Sequence, residues 1–136
     1  MLAPYALALY RNGRLAEAGE SAQRCLEYGL NSADLMIVSA HAFIERRDFA
    51  AAQPLLDALE KKVPSGKMFL YLKTLQAKER GRSVEALRYA RKALRNYPED
   101  PVIMVLLAAV LFGGPESGYV EARALCAEAL SLVGSP

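Results

Sequence analysis

Few residues of this 136-residue chain could do chemistry. His41 is the only histidine, so a Ser-His-Asp or Cys-His arrangement would have to be built on it, with Asp34, Asp48 and Cys25 as its obvious company. Nucleophilic catalysis needs a base that is itself oriented by a third group, and no spacing in the sequence gathers these residues around one point. His41 and Glu45 stand one helical turn apart and could supply half of a metal site, but a third ligand is not visible. Cys25 and Cys126 form no CxxC pair and lie far apart in helix-like sequence, so they are expected as reduced, buried thiols, with neither a disulfide framework nor a zinc site. Gly113 and Gly118 have the spacing of a phosphate-binding loop, yet Tyr119 and Val120 follow where Lys and Ser or Thr are required, and no strand precedes them. No catalytic residue, metal or cofactor is therefore expected, and the chain reads as something other than an enzyme.

Charge is uneven. The net value of +2 conceals residues 65–98, where nine basic side chains stand against Glu79 and Glu85, leaving the remainder acidic. Arg88, Arg91, Lys92 and Arg95 share one face of a helical stretch, directed away from Ala86, Ala90 and Ala93. Such a face is first of all a solvated outer surface, and second a site for an acidic protein. Nucleic acid is not expected, because neither interleaved aromatic residues nor a base-reading motif accompanies the charge.

The elements that would position these residues follow from a repeat. Ala18, Ala52 and Ala86 lie 34 residues apart in the similar settings LAEAG, FAAAQ and VEALR, and Ala122 in VEARA follows 36 residues later. The two extra residues fall in the GGPESG stretch, Gly113 to Gly118. Leu2, Met36, Leu70 and Met104 share the 34-residue period, as do Ala6, Ala40, Thr74 and Ala108, and Leu9, Phe43, Ala77 and Leu111. Apolar residues at i, i+3, i+4 and i+7 predict two helices per unit: 2–12 with 15–29, 33–46 with 49–62, 67–80 with 83–96, and 101–112 with 119–132. Gly13, Gly81 and Gly113 stop first helices, Pro64 and Pro98 stop second ones, and Asp100 followed by Pro101 is an N-cap with a pre-set first helical residue. Helices this short bury too little by themselves, so the pairs must stack.

The pattern resembles the tetratricopeptide repeat family. The matches are Leu2, Ala6, Leu9, Ala18 and Leu30 in the first copy, Met36, Ala40, Phe43, Ala52 and Pro64 in the second, Leu70, Thr74, Ala77, Ala86 and Pro98 in the third, and Met104, Ala108, Leu111 and Ala122 in the fourth. The departures are the absence of Trp, Leu30 in place of a closing proline, and Lys73 where the family has an apolar residue. The resemblance implies an all-α fold, an α-solenoid (right-handed superhelix) of four helix-turn-helix units with about eight helices. One domain would span 1–136, with repeats at about 1–32, 33–66, 67–100 and 101–136, either whole or part of a longer protein.

The resemblance also implies a binding module with a concave groove lined mostly by first helices. Projected onto this chain, the groove positions are Leu7, Tyr10, Ile37, Val38, His41 and Ile44, then Met68, Tyr71, Leu72 and Leu75, and finally Val105, Leu106, Ala109 and Phe112. The Lys, Asn and Arg clamp by which some family members hold acidic chaperone tails is missing, because Ala3, Leu7, Val38, Met68 and Leu72 occupy its positions. An apolar groove is expected instead, to bind an amphipathic helix or an extended hydrophobic peptide of a protein partner, by analogy with repeat proteins of bacterial secretion and envelope assembly. The competing expectation is a structural segment of a longer superhelix, or a homo-oligomer whose own chain fills the groove. The opening MLAPYALALYR has no basic leader region, and the longest apolar run, Val102 to Phe112, is shorter than the roughly 18 residues that would cross a bilayer. A cytoplasmic location is expected.

Overall fold

The computed structural model describes residues 2–133, with side chains described for residues 4–133. Expectations placed on the side chains of Leu2 and Ala3, and on Ser135 and Pro136, lie outside the described residues. Among the described residues there are eight α-helices, one 3-10 turn and no strand. They are α1 (Leu2–Arg11), α2 (Leu15–Glu27), α3 (Ala33–Glu45), α4 (Phe49–Lys62), α5 (Lys67–Glu79), α6 (Ser83–Asn96), α7 (Pro101–Phe112) and α8 (Tyr119–Val133), with the 3-10 turn at Glu116–Gly118. The predicted helices agree in number and order, and their ends differ by no more than two residues.

The chain forms two compact units, Met1–Pro64 and Ser65–Pro136. Within the first, each helix packs against the next and α1 also lies against α3. The second repeats the arrangement, with α5 against α6, α6 against α7, α7 against α8, and α5 against α7.

Small residues set these contacts. Ala18, Ala52, Ala86 and Ala122, the residues that reveal the repeat, are all fully buried. So are Ala6, Ala40 and Thr74, and Ala108 is nearly so. Thr74 brings a hydroxyl to a position where alanine otherwise sits, and it satisfies that group by donating to the Leu70 carbonyl at 2.8 Å. A close approach falls one residue beyond the repeat position: a Cβ on Gly19 in α2 would stand 2.3 Å from Cβ of Ala42 in α3. Lys73, the other departure from the pattern, is half-buried with its ammonium 5.3 Å from the centre of the Tyr89 ring.

The turns explain the uneven spacing. The first three hairpins close with a bond reaching five residues back: Arg14 to Leu9, Asp48 to Phe43, and Arg82 to Ala77, with N–H donating to carbonyl. That closure needs one left-handed residue, supplied by Gly13, Arg47 and Gly81. In the fourth hairpin Pro115 falls at this position, and its ring holds φ at −63°. The chain passes instead through Gly113 and the 3-10 turn, which takes up the two extra residues. The first repeat, lacking its proline, ends on left-handed Gly29 with Leu30 N–H donating to the Cys25 carbonyl.

In the second unit α5 and α7 start side by side. The Lys67 ammonium pairs with Asp100, and the Tyr97 hydroxyl donates to the Ser65 carbonyl at 2.9 Å. Asp100 also accepts from the N–H groups of Val102 and Ile103 as the N-cap of α7. Partial burial pushes the Asp100 carboxyl up, but the Lys67 hydrogen bond and the Ile103 and Val102 N–H groups override it and hold it below its ordinary value. The two first helices therefore run parallel.

Two outcomes follow from this packing. Gly19→Ala should lower stability by about 1–3 kcal/mol through overpacking, measured by urea unfolding, whereas an ordinary helix position gains about 1 kcal/mol from the same change. A gain would contradict the close approach. Because the Asp100 carboxyl is depressed, its stabilising effect is complete above the ordinary Asp value of about 3.9 and is lost as pH falls through the lower folded value. Asp100→Asn, which keeps a capping oxygen, should cost up to about 1 kcal/mol at pH 7, and the difference from the parent protein should shrink as pH falls below the ordinary Asp value. A difference that persists in acid would contradict the charge argument.

Candidate binding groove

The parallel start of α5 and α7, with α8 returning antiparallel to α7, leaves an open cavity of about 580 Å³ in the second unit. Tyr71, Leu75 and Lys78 line it from α5, and Pro101, Val102, Val105, Leu106 and Ala109 from α7. Cys126, Ala129, Leu130 and Val133 complete it from α8. Apart from Lys78, the tyrosine hydroxyl and one thiol, the lining offers hydrocarbon. Val102 and Val105 are 50% and 51% exposed and Leu130 is 67% exposed, so the wall consists of branched aliphatic residues left in water. A groove of this volume and character is in the range that takes organic ligands or an apolar side-chain cluster.

The sequence-based groove positions divide three ways. Tyr71, Leu75, Val105, Leu106 and Ala109 line the cavity, Leu106 with only 5% of its surface exposed. Met68 is half-buried outside it, and exposed Phe112 packs against Tyr119 beyond the end of α7, with ring centres 5.5 Å apart. Val38, Ile44 and Leu72 are sealed in the interior and offer no groove surface. Val38 belongs to the core that Leu35 forms with Ala6, Leu9, Ala18, Ala22 and Cys25. The reason is angular: neighbouring residues on a helix point about 100° apart, and in stretches as apolar as α3 and α7 the pattern does not separate the face toward the next helix from the face toward the groove.

The α8 contribution, Cys126, Ala129, Leu130 and Val133, is not among the expected positions, all of which fall on first helices. Its signal is present in the spacing, an apolar i, i+3, i+4, i+7 stripe along one helix. Cys126 is accordingly half-exposed, unlike Cys25, which is buried as expected, and both are free thiols.

The corresponding face of the first unit is polar at its centre. The Tyr10 hydroxyl and His41 Nδ1 are hydrogen-bonded at 2.9 Å, and their rings meet edge-on at 5.7 Å. Leu7 and Ile37 are half-buried on the same two helices. His41 Nε2 lies 3.9 Å from the Glu45 carboxylate. Burial lowers the His41 value, with Glu45 opposing, so the ring is neutral at pH 7. Among the described residues no group of three or more His, Cys, Asp or Glu side chains could hold a metal ion.

Of the basic residues on α6, Arg88, Lys92 and Arg95 are exposed, and the Arg88 guanidinium lies 5.5 Å from the centre of the Tyr89 ring. Arg91 differs: it makes a two-pronged contact with Glu121 of α8, at 2.8 and 2.9 Å. That hydrogen bond raises the arginine and lowers the glutamate. Arg91 therefore clamps α6 to α8 and leaves three charges for the surface.

No described helix is long and apolar enough to cross a membrane. No family model and no curated protein matches the sequence. Solved structures do resemble the fold. MamA 41-end from Desulfovibrio magneticus RS-1 superposes with a TM-score of 0.72 at 17% identity, over 96% of this chain and 73% of that one. The MamA RS-1 ArsTM double mutant gives 0.70 at 17% identity, covering 96% and 72%. MamA MSR-1 gives 0.62 at 17% identity, covering 93% and 72%. With the 34-residue register and the succession of eight packed helices, these likenesses establish a tetratricopeptide-type helical-repeat fold.

Proposed function

We propose that the chain is a protein-interaction module whose groove between α5, α7 and α8 takes an amphipathic helix or an extended hydrophobic peptide of a protein partner. The supporting observation is the pair Val105 and Leu130, both exposed and both lining one cavity. Covering a side chain of this size contributes about 1.5–3 kcal/mol relative to leaving it in water. Two or three such anchors supply about 3–9 kcal/mol before the cost of association, so the affinity expected from them alone is weak, about millimolar. The role asks for no catalysis, and the Tyr10–His41 pair serves as packing within the first unit. We place the partners among bacterial secretion or envelope components, whose apolar segments need cover before assembly, and the encounter in the cytoplasm.

A second reading, in which the groove is filled by a further copy or by more of a longer superhelix, draws on the side of α8 away from the cavity, where Val120 and Leu132 are exposed. Light scattering across a concentration series separates the two. A monomer that binds an 18-residue designed helix bearing leucine at i, i+3, i+4 and i+7, followed by fluorescence anisotropy, supports the module. Val105→Glu should then weaken that binding at least tenfold, which corresponds to about 1.4 kcal/mol. A dimer that ignores the peptide would remove the module reading.

A further inference from the structure

The cations of α6 are not a requirement of the repeat. The positions of Arg88, Arg91, Lys92 and Arg95 carry Pro54, Asp57, Ala58 and Lys61 in α4, and Glu20, Gln23, Arg24 and Glu27 in α2. The fold thus accepts acidic, neutral and basic side chains there, and four cations together are a property of the third repeat alone. Arg91 is taken by Glu121 of α8, and Glu85 lies 3.8 Å from Arg82. Arg88, Lys92 and Arg95 are exposed, and among the described residues no carboxylate pairs with them. They follow one another at i, i+4 and i+7, a row about 10 Å long. Like charges at these spacings repel and weaken the helix that carries them, so an opposite charge laid along the row relieves a strain already present. Lys73 of α5 adds to the positive potential, its ammonium 5.3 Å from the centre of the Tyr89 ring that Arg88 also flanks. Beside the row is a cavity of about 280 Å³ lined by Arg91, Leu94 and Arg95, which sets one half-buried aliphatic side chain between two guanidinium groups.

We infer that α6 docks an acidic protein segment: a helix whose carboxylates, at i, i+3 or i+4, and i+7, pair with Arg88, Lys92 and Arg95, and which places one aliphatic side chain in the cavity beside Leu94. None of these residues lines the groove of α5, α7 and α8, so this surface stands independently of the one proposed above. Charge complementarity decides the class of partner. Anionic membranes are held by clusters of about four to eight cations or by an apolar face that sinks into the bilayer. This row has three unpaired cations, and no exposed apolar side chain stands between Arg88 and Arg95. Single-stranded nucleic acid stacks its bases on open aromatic rings, whereas Tyr89 is half-buried and flanked by Arg88 and Lys73.

The probe is a synthetic helix of about 16 residues with glutamate at i, i+4 and i+7, leucine at i+3, and alanine and glutamine elsewhere, followed by fluorescence anisotropy against the whole protein at low salt. Joint substitution of Arg88→Glu and Arg95→Glu should weaken binding at least tenfold, as should raising salt to about 0.5 M, where the Debye length falls to a few Å. Arg88→Gln with Arg95→Gln should give a smaller loss, and unchanged circular dichroism and melting temperature verify the fold of each variant. A peptide of the same composition with its glutamates spread around the helix should bind at least fivefold more weakly, and a saturating amount of the leucine-stripe helix should not compete. Equal binding of the two acidic peptides, indifference to the substitutions, or competition by the leucine-stripe helix would overturn the proposal. Tighter binding through the same residues to vesicles of phosphatidylserine and phosphatidylcholine, or to a single-stranded oligonucleotide, would overturn it in favour of that partner. A low-salt dimer abolished by the same substitutions would assign the row to a second copy instead.

Discussion

Close packing through small side chains is the constraint on which this chain depends. A hairpin of two helices of 10 to 15 residues cannot bury enough hydrocarbon to offset its own ordering, so each must present a face that another element covers. Fully buried alanines at 18, 52, 86 and 122 let the helices approach closely enough for the flanking leucines and methionines to meet. Gly19 against Ala42 carries the same principle to its limit. Thr74 enters this framework with its hydroxyl satisfied on the Leu70 carbonyl.

That constraint also accounts for the groove. In a stack, the face that receives the next hairpin must be apolar, and it stays apolar wherever it is left open. The groove of α5, α7 and α8 is such a face, lined by alanines, a thiol and branched aliphatic residues, with Lys78 of α5 as the one charged side chain among its lining residues. The first unit shows the contrast. There the corresponding positions on α1 and α3 hold Tyr10 and His41, joined to each other by a hydrogen bond, so that surface carries polarity of its own. The open face of the second unit is therefore the more apolar of the two.

Much of this architecture was legible in the residues alone. The 34-residue recurrence of small residues located every hairpin, while Gly13, Pro64, Gly81, Pro98 and Gly113 marked where five helices stop and Asp100 with Pro101 marked where α7 starts. Pro115 shows how far this goes: its fixed φ forbids the left-handed turn used by the other hairpins, and the two extra residues of the fourth copy follow. The groove was less legible. Tyr71, Leu75, Val105 and Leu106 were placed on it, but Val38, Ile44 and Leu72 are core, because an unbroken apolar stretch does not record which of its faces meets a neighbour. The α8 wall went unread for a different reason: which surface of a hairpin stays uncovered depends on tertiary packing, and periodicity reports only that the stripe exists. The Arg91–Glu121 clamp, spanning two helices 30 residues apart in sequence, has no local signature at all.

The most direct measurement of the central claim uses the thiol already in the groove. Cys126 lines the cavity and Cys25 is buried, so in the free protein an alkylating reagent should label Cys126 and spare Cys25. Saturation with an amphipathic leucine-stripe helix should slow the labelling of Cys126 at least tenfold and leave Cys25 unlabelled. An unchanged rate at Cys126 under saturating peptide would mean that the open face between α7 and α8 is not where an apolar helix binds.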